Sequence, residues 1–420
     1  MSTSNSFYVL KLLVGGEDIT QHLKSVTIHT NKIAGIQIIE MNVMLNREQY
    51  DKYVIEYKDK LRLDITSSTG FKNDDSPPNV DASFSYDLTI LQEPNEQSNR
   101  DNVGDSSPST NLSLICAGTQ ALKSRQKFIK NKVFFNKNRR QILNSIFEGA
   151  SIEIQSEIFN ESNIIEQFVI PPSRQISAYE YLDYRLNLFK HAKPSYITYS
   201  LDGNIYIGSC IKNSMEPLRL FYGTEDSQIE TMINTNSKTN DIYDYLITRP
   251  IREECYYNIV CLGMGKKQSY CFSPLNKLYS RLNLDLNEFQ NNLFLDNNYG
   301  SDPRLGKHVR NTNIKETWFK SHNGLDEVIT PDDNKFFTEN YVSEHANQAL
   351  GLSMDIESVM KLEDLFYIGR QVKLTSGLNA KRFDGYYFLE SSEIKFIHNG
   401  SFWGGRGNIT IKSAIDVSNS

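Results

Sequence analysis

A metal centre or nucleophilic site in this chain would have to be built from seven histidines, five cysteines and a large stock of carboxylates. The histidines are His22, His29, His191, His308, His322, His345 and His398. None stands in the H-E-x-x-H or H-x-H spacing that puts two imidazoles on one side of a helix or strand. Each therefore reads as a surface residue of a strand, helix or loop. The cysteines are Cys116, Cys210, Cys255, Cys261 and Cys271. Zinc sites want thiolates about two to four residues apart, on one turn, and the last three cysteines are more widely spaced with no histidine beside them. An odd count with two isolated members points to reduced thiols in a protein made in a cytosol.

Nucleophilic and phosphate-binding signatures are also missing. There is no G-x-S-x-G elbow and no G-x-x-x-x-G-K-[ST] loop. Two glycine-rich pieces, Gly263-Met264-Gly265-Lys266-Lys267 and Gly404-Gly405-Arg406-Gly407, lie beside strands rather than ahead of capped helices, and read as hairpin turns. Carboxylates are numerous enough for a glycosidase pair, but nothing marks two of them as partners. The sequence thus assigns no catalytic, cofactor-binding or metal-ligating residue, and the expectation is a protein that is not an enzyme.

Composition bounds the alternatives. A length of 420 residues suggests roughly two to four domains with cores that need no disulfide or metal. The 23 Tyr and 22 Phe against 2 Trp favour strands and interfaces, where flat rings pack on a pleated surface. A formal charge of −6 argues against sequence-independent clamping of nucleic acid. No apolar run is long enough for a membrane-spanning helix. The opening Met-Ser-Thr-Ser-Asn-Ser lacks the basic and apolar regions of a signal peptide, so synthesis and use without that export route are expected.

The elements that would position any site are mostly strands. Phe7 to Val14 is an apolar run, followed by the turn pair Gly15-Gly16 and then Asp18-Ile19-Thr20. Val26 and Ile28 alternate with polar residues, as do the apolar residues of Ile36 to Leu45 and the trio Leu61, Leu63 and Ile65. Residues 67–83 and 93–111 are polar and read as long loops around a strand at Phe84 to Leu91, with Leu112 to Ala117 as its return partner. The run Lys123 to Arg140 is basic without an acid and reads as a solvated face or a contact for an acidic protein; Phe128, Phe134 and Phe135 sit where a strand core would want them.

Helices are fewer. Arg140 to Phe147 carries Ile142, Leu143, Ile146 and Phe147 on one face and ends at Gly149. Ser177-Ala178-Tyr179-Glu180 is a capping box that opens a second helix to about His191. Asp202-Gly203 between two alternating runs predicts a hairpin. Strand character returns over 216–272, including Tyr256 to Leu262. Residues 273–335 look irregular, with helix-like pieces near Leu284 to Phe294, and Glu339 to Leu350 reads as a helix stopped by Gly351. Leu352 to Val359, Val372 and Leu374, Tyr386 to Phe396, and Asn408 to Ile411 complete the strands.

These features resemble a known group, the tail hub proteins of the late control protein D type, in the order of elements over most of the chain. The N-terminal match is Leu10 to Val14, Gly16-Glu17-Asp18-Ile19-Thr20, Leu23, and Val26 to Ile28. The C-terminal match is Ile368-Gly369-Arg370-Gln371-Val372, Tyr386 to His398, and Asn408 to Ile411. Ile368 stands where the group usually has proline, and residues 67–111 are longer than usual. The order of sections also looks like that of the central baseplate hub of T-even phages.

The resemblance implies a β-rich α+β fold with two tail-tube-like β-barrel domains and inserted small α/β domains. It would place the first barrel at 1–121, a small α/β domain at 122–215, the second barrel at 216–272 and 346–420, and an irregular insertion at 273–345. It implies a structural baseplate hub: a homotrimeric, pseudo-sixfold ring joining the tail tube to the central spike, with DNA in transit through its lumen. Tube or tube-initiator proteins, spike and wedge proteins would be its partners, and the virion tail its location, with no stable membrane insertion. Three copies at −6 each would carry −18, which repels DNA phosphates. The alternatives are a distal tail protein of a non-contractile phage, the hub of a phage-derived injection machine, and a cell-wall-degrading tail hydrolase.

Overall fold

The computed structural model describes residues 6–31, 35–53, 55, 60–69, 79–92, 95–98, 109–126, 128–129, 132–155, 164–170, 176–177, 195–210, 213–223, 243–253, 266–273, 278–285, 314–320, 351–357, 359, 361–376, 383–399 and 402–413. The first part of the chain supplies β1 (Ser6–Val14), β2 (Glu17–Asp18), β3 (Leu23–Asn31), β4 (Gln37–Asn46), helix α1 (Arg47–Tyr53) and β5 (Leu61–Thr69). It continues with β6 (Asn79–Ile90), β7 (Asn95–Ser98), β8 (Ser109–Gly118) and helix α2 (Thr119–Arg125). Shorter elements follow: β9 (Phe128–Ile129), β10 (Lys132–Asn138), α3 (Arg139–Ile146), β11 (Ile152–Gln155), β12 (Ile164–Ile170), β13 (Ile176–Ser177), β14 (Ser195–Tyr199) and β15 (Ile205–Ser209). Then come β16 (Leu218–Tyr222), β17 (Tyr245–Ile247), β18 (Arg252–Glu253), β19 (Lys266–Ser273), β20 (Leu278–Asp285) and β21 (Ile314–Lys320). The chain closes with β22 (Gly351–Ile356), α4 (Glu363–Phe366), β23 (Gln371–Ser376), β24 (Gly385–Asn399) and β25 (Phe402–Ser413).

Two separate tube-like barrels do not form. Strands from both ends of the chain enter one mixed, 15-stranded sheet, in the order β17-β16-β23-β24-β3-β4-β8-β6-β5-β1-β25-β22-β18, with β2 on β1 and β7 on β8. The physical reason lies in β24 and β25. They are 15 and 12 residues long and also pair with each other. β24 takes β3 as an antiparallel neighbour from Ser391↔Asn31 to Ile397↔Ser25, and β25 meets β1 at Tyr8↔Trp403. The parallel pairs β16–β17 and β16–β23 make the sheet mixed. The two strand-rich sections of the sequence are therefore not independent folding units.

One buried cluster accordingly spans both ends, from Tyr8 to Ile411. Period-two alternation builds it: Tyr8, Leu10 and Leu12 point in while Val9 and Lys11 face out. Leu61, Leu63 and Ile65 do the same on β5, as do Ile39, Met41, Val43 and Leu45 on β4. Burying each such side chain stabilises the fold by about 1.5–3 kcal/mol. On β24 the residues buried towards this cluster are Tyr387 and Leu389, then Ser392, Ile394 and Phe396, while Phe388 is buried in a separate small cluster with Tyr196 and Cys210. The parity changes because a bulge lies between Leu389 and Ser391.

The polar stretches are less loop-like than their composition predicts. β5 runs on to Thr69 and β6 starts at Asn79, with Ser67 and Ser68 buried and Ser68 opposite Val80. Ladder hydrogen bonds are backbone bonds and need no apolar side chain. Gly404, Gly405 and Gly407 are likewise not a turn: they lie inside β25, opposite Ile397, Phe396 and Ile394. A Cβ on Gly405 would stand 2.9 Å from the Tyr8 ring, so the strand needs a bare backbone there.

The Gly-Glu-Asp-Ile-Thr segment folds as a knot of local bonds. Gly15 and Gly16 turn the chain at φ 58° and 96°. Asp18 Oδ1 accepts from the Thr20 amide at 3.0 Å and from the Thr20 hydroxyl at 2.6 Å. Thr20 Oγ1 accepts from the Leu12 amide at 2.8 Å, and Ile19 is fully buried. The Thr20 hydrogen bonds hold the Asp18 carboxyl below its usual value of 3.8. The depressed pKa means the stabilisation is complete above that value and is lost as pH falls through the folded pKa. Asp18→Ala is expected to cost about 1 kcal/mol near neutral pH in urea unfolding, a modest figure because the carboxylate is half exposed. That deficit should shrink below pH 3.8, where wild type loses the same charge.

A second cluster joins α3 to small sheets. Ile142, Leu143, Ile146 and Phe147 pack with Phe134, Phe168, Ile197, Ile205 and Ile207. The small sheets in this cluster are β10-β12 and β11-β15-β14; β13-β9 and β20-β19-β21 are two further small sheets. The predicted helix at Arg140 to Phe147 forms as α3. Asn138 accepts from the Gln141 amide and Gln141 accepts from the Asn138 amide, and Gly149 follows at φ 87°. The predicted hairpin also forms, with Gly203 at φ 89° between β14 and β15. Leu284 lies in β20, not a helix, and Gly351 opens β22 rather than ending a helix within the described residues. The body of the helix expected from Ser177 to His191, the helix at Glu339 to Leu350, the strand at Tyr256 to Leu262 and Gly263 to Gly265 lie outside the described residues; Ser177 itself ends β13.

Candidate functional site

The chemistry-bearing residues are dispersed. His22 is buried in the 3-10 turn Thr20–His22. His29 sits on β3 with Glu40 at 3.5 Å and Glu393 at 3.6 Å, each from a neighbouring strand. His398, near the end of β24, makes an edge contact with Trp403 at 4.9 Å. His191, His308, His322, His345, Cys255 and Cys261 lie outside the described residues. Among the described residues no group of three or more His, Cys, Asp or Glu side chains could hold a metal ion. No helix among them is long and apolar enough to cross a membrane.

Cys116 is a buried free thiol, and Cys210 is buried as well. Burial pushes the Cys116 thiol up to about 12, which keeps it from the reactive thiolate form. The peptide containing Cys116 is expected to stay unlabelled when native protein meets a thiol reagent at pH 8, and to label fully once unfolded; mass spectrometry of the digest reads this.

Polar side chains are used to join parts of the fold. Tyr196 on β14 donates to Gln155 Oε1 at 2.6 Å, and Asn213 Nδ2 donates to the Tyr196 oxygen at 2.8 Å and to the Gly369 carbonyl at 3.2 Å. Gly369, at φ 86°, lies where a Cβ would stand 2.1 Å from the Tyr196 ring. The glycine of the Ile368–Val372 segment is thus the seat of a ring from the small sheet. Nearby, Arg370 donates to Asp364 at 2.8 Å and to the Glu216 carbonyl at 2.8 Å, while the Tyr245 hydroxyl donates to Asp364 at 3.1 Å. On the other flank of the small sheet, Gln37 Oε1 accepts from the Leu201 amide at 3.0 Å, and the Tyr199 amide donates to the Gly35 carbonyl at 2.7 Å.

What stays outward is surface suited to contact. The basic run Lys123 to Arg140 crosses four elements, from α2 to the start of α3. Arg139 is buried, whereas Lys132, Lys137 and Arg140 are exposed. Phe134 enters the core as expected, but Phe135 is 60% exposed, beside Val133 at 47%. Alternation explains the split, since neighbours on a strand face opposite ways. The Phe128 side chain lies outside the described set.

The sequence does not signal a largely buried aromatic cluster, in which Tyr86 belongs to the core and Phe84, Phe366, Tyr206 and Tyr367 are partly buried. Phe84 stacks with Tyr86 at 6.1 Å and meets Phe366 edge-on at 6.4 Å. Tyr206 and Tyr367 meet edge-on at 5.0 Å. These rings come from β6, β15 and the α4 segment, so no local spacing signals them. Burial, then the charges of Asp202 and Glu363 and the neighbouring tyrosines, push the Tyr86 hydroxyl above its ordinary value.

No family model and no curated protein matches the chain. Its fold does match solved structures. It is similar to the tail protein from Neisseria meningitidis MC58, with a TM-score of 0.57 at 10% identity, covering 98% of each chain. It is also similar to the 43 kDa tail protein of prophage MuSo2 from Shewanella oneidensis, with a TM-score of 0.56 at 11% identity, covering 97% of this chain and 100% of that one. At such identities the likeness shows a shared fold, and it runs over nearly the whole chain.

Proposed function

We propose that this chain is a non-catalytic structural subunit of a phage-type tail, carried by a phage or by a phage-derived injection machine. The observation behind this is the fold shared with two tail proteins over 98% and 97% of the chain. The use of polar side chains as joints and the exposed apolar residues Val133, Phe135 and Ile164 on paired strands support the same reading. At a finer level we place it as a hub that assembles with copies of itself, in a ring between tube and spike components. Such a ring, carrying −6 per copy, would let DNA pass without binding it. In that reading residues 122–215 and 273–345 are inserts borne on the sheet.

Mass photometry of the purified chain tests the ring. A species at three times 48.2 kDa, with a ring under negative stain, supports it. A lasting monomer at micromolar concentration counts against it. Hydrolysis of sugar or peptide that one carboxylate substitution abolishes would move the reading to the hydrolase.

A further inference from the structure

On the edge away from β25, β24 serves two different neighbours. Its first residues pair with β23, from Leu374↔Gly385 to Gln371↔Phe388. Its later ones pair with β3, from Ser391↔Asn31 to Ile397↔Ser25. The change falls at the bulge between Leu389 and Ser391, where an extra residue bends the strand. Just before it, the Gly369 amide donates to the Leu389 carbonyl at 2.7 Å, and the Leu389 amide donates to the Arg370 carbonyl at 2.9 Å. Just after it, Ser391 faces Asn31, whose carbonyl accepts from the Gly35 amide at 3.0 Å. This edge is therefore forked, with the Gly369 segment on one prong and the Asn31–Gly35 corner on the other.

β14 touches both prongs. At one end the Tyr196 ring lies against Gly369 and packs with Phe388, beside the bulge. Asn213 ties the Tyr196 hydroxyl to the Gly369 carbonyl. At the other end Tyr199 forms a bridge with Ile36, and its amide donates to the Gly35 carbonyl at 2.7 Å. The Leu201 amide follows, donating to Gln37 Oε1 at 3.0 Å. Tyr196 to Tyr199 are all buried, so the strand is covered on both faces. At a strand's usual rise those residues span about 10 Å, roughly two inter-strand spacings.

We propose that β14 is a strap across this fork. Seated on Gly369 and on the Gly35–Gln37 corner at once, it holds the β23 side and the β3 side closed on β24, and lifting it frees the β23 side. The small sheet is then part of the main sheet's closure rather than a passenger on it. Both ends are needed, because a strap released at one end holds nothing, so the two ends open as one local unit.

Hydrogen exchange of the full chain, read by mass spectrometry at residue resolution, tests this. In wild type under rising urea, the Tyr199 and Leu201 amides and the Gly369 and Leu389 amides are expected to share one opening, before β5 and β6 open. Two separate openings, or opening only together with β5 and β6, overturn the proposal. Gln37→Leu should then speed exchange at Gly369 and Leu389 by about tenfold or more, as for loss of a buried hydrogen bond. The hydrogen bonds of Gln37 go to Thr30 and Leu201, so this effect has to cross the strap. Faster exchange at Tyr199 and Leu201 alone, or throughout β5 and β6 as well, overturns the proposal. Tyr196→Leu should speed exchange at Tyr199 and Leu201, and the double variant should be no faster than the faster single one. Additive effects would mean two independent contacts and no strap.

Discussion

Gly369→Ala is expected to destabilise the fold by about 3 kcal/mol or more in urea unfolding. Two costs add. The residue sits at φ 86°, where an L side chain costs roughly 1–2 kcal/mol. The new Cβ would also stand 2.1–2.7 Å from Cδ1, Cε1 and Cγ of Tyr196, and overpacking costs about 1–3 kcal/mol. Tyr196 has no room to retreat. Its hydroxyl is held by Gln155 and Asn213, and a Cβ at Gly208 would stand 2.4 Å from that oxygen. Tyr196→Leu in the same chain should remove the steric cost and leave the backbone one. The two substitutions should therefore couple by at least about 1 kcal/mol. Simple additivity would mean that the ring does not rest on Gly369.

Tyr8→Ala is expected to cost about 3–5 kcal/mol, the range for deleting a large buried ring. Tyr8 is fully buried, packs edge-on against Phe396 at 5.1 Å and donates to the Val359 carbonyl at 2.6 Å. Its partners lie some 350 residues away in sequence, the hydroxyl bond having a separation of 351. Hydrogen exchange of the variant should lose protection in β24 and β25 together with β1. Two independent barrels would behave otherwise, with the C-terminal strands keeping their protection.

That contrast marks what the sequence disclosed. Alternation at Val26 and Ile28, or at Leu61, Leu63 and Ile65, is local, and so are the turns at Gly15-Gly16 and Asp202-Gly203; all are seen. The cap and apolar face of α3 are local too. Which strand lies beside which is not local. The pairing of β24 with β3, and of β1 with β25, depends on register between segments hundreds of residues apart, and it overturned the two-barrel expectation. Gly405 looked like a turn because glycine is permissive in turns. Its actual role, giving space to Tyr8, is visible only once the distant ring is in place.

The contact surfaces divide in the same way. The basic run was legible, and so was the core position of Phe134, but the exposure of Phe135 required knowing which face of β10 meets the second cluster. The aromatic cluster had no signature, because the buried Tyr86 and the half-buried Tyr206 and Tyr367 converge from three separate segments. The Asp18 turn and the Gly369 segment carried the family resemblance. In the structure both are seats of packing: one buries Ile19, the other receives Tyr196.

The most direct test of a tail-subunit role is immunogold labelling of purified particles with an antibody to this chain, imaged under negative stain. The account predicts label at one axial position on the tail, with the chain recovered from washed particles in fixed ratio to a tube protein. Particles that carry no label, with the chain found only in the soluble fraction, would contradict it.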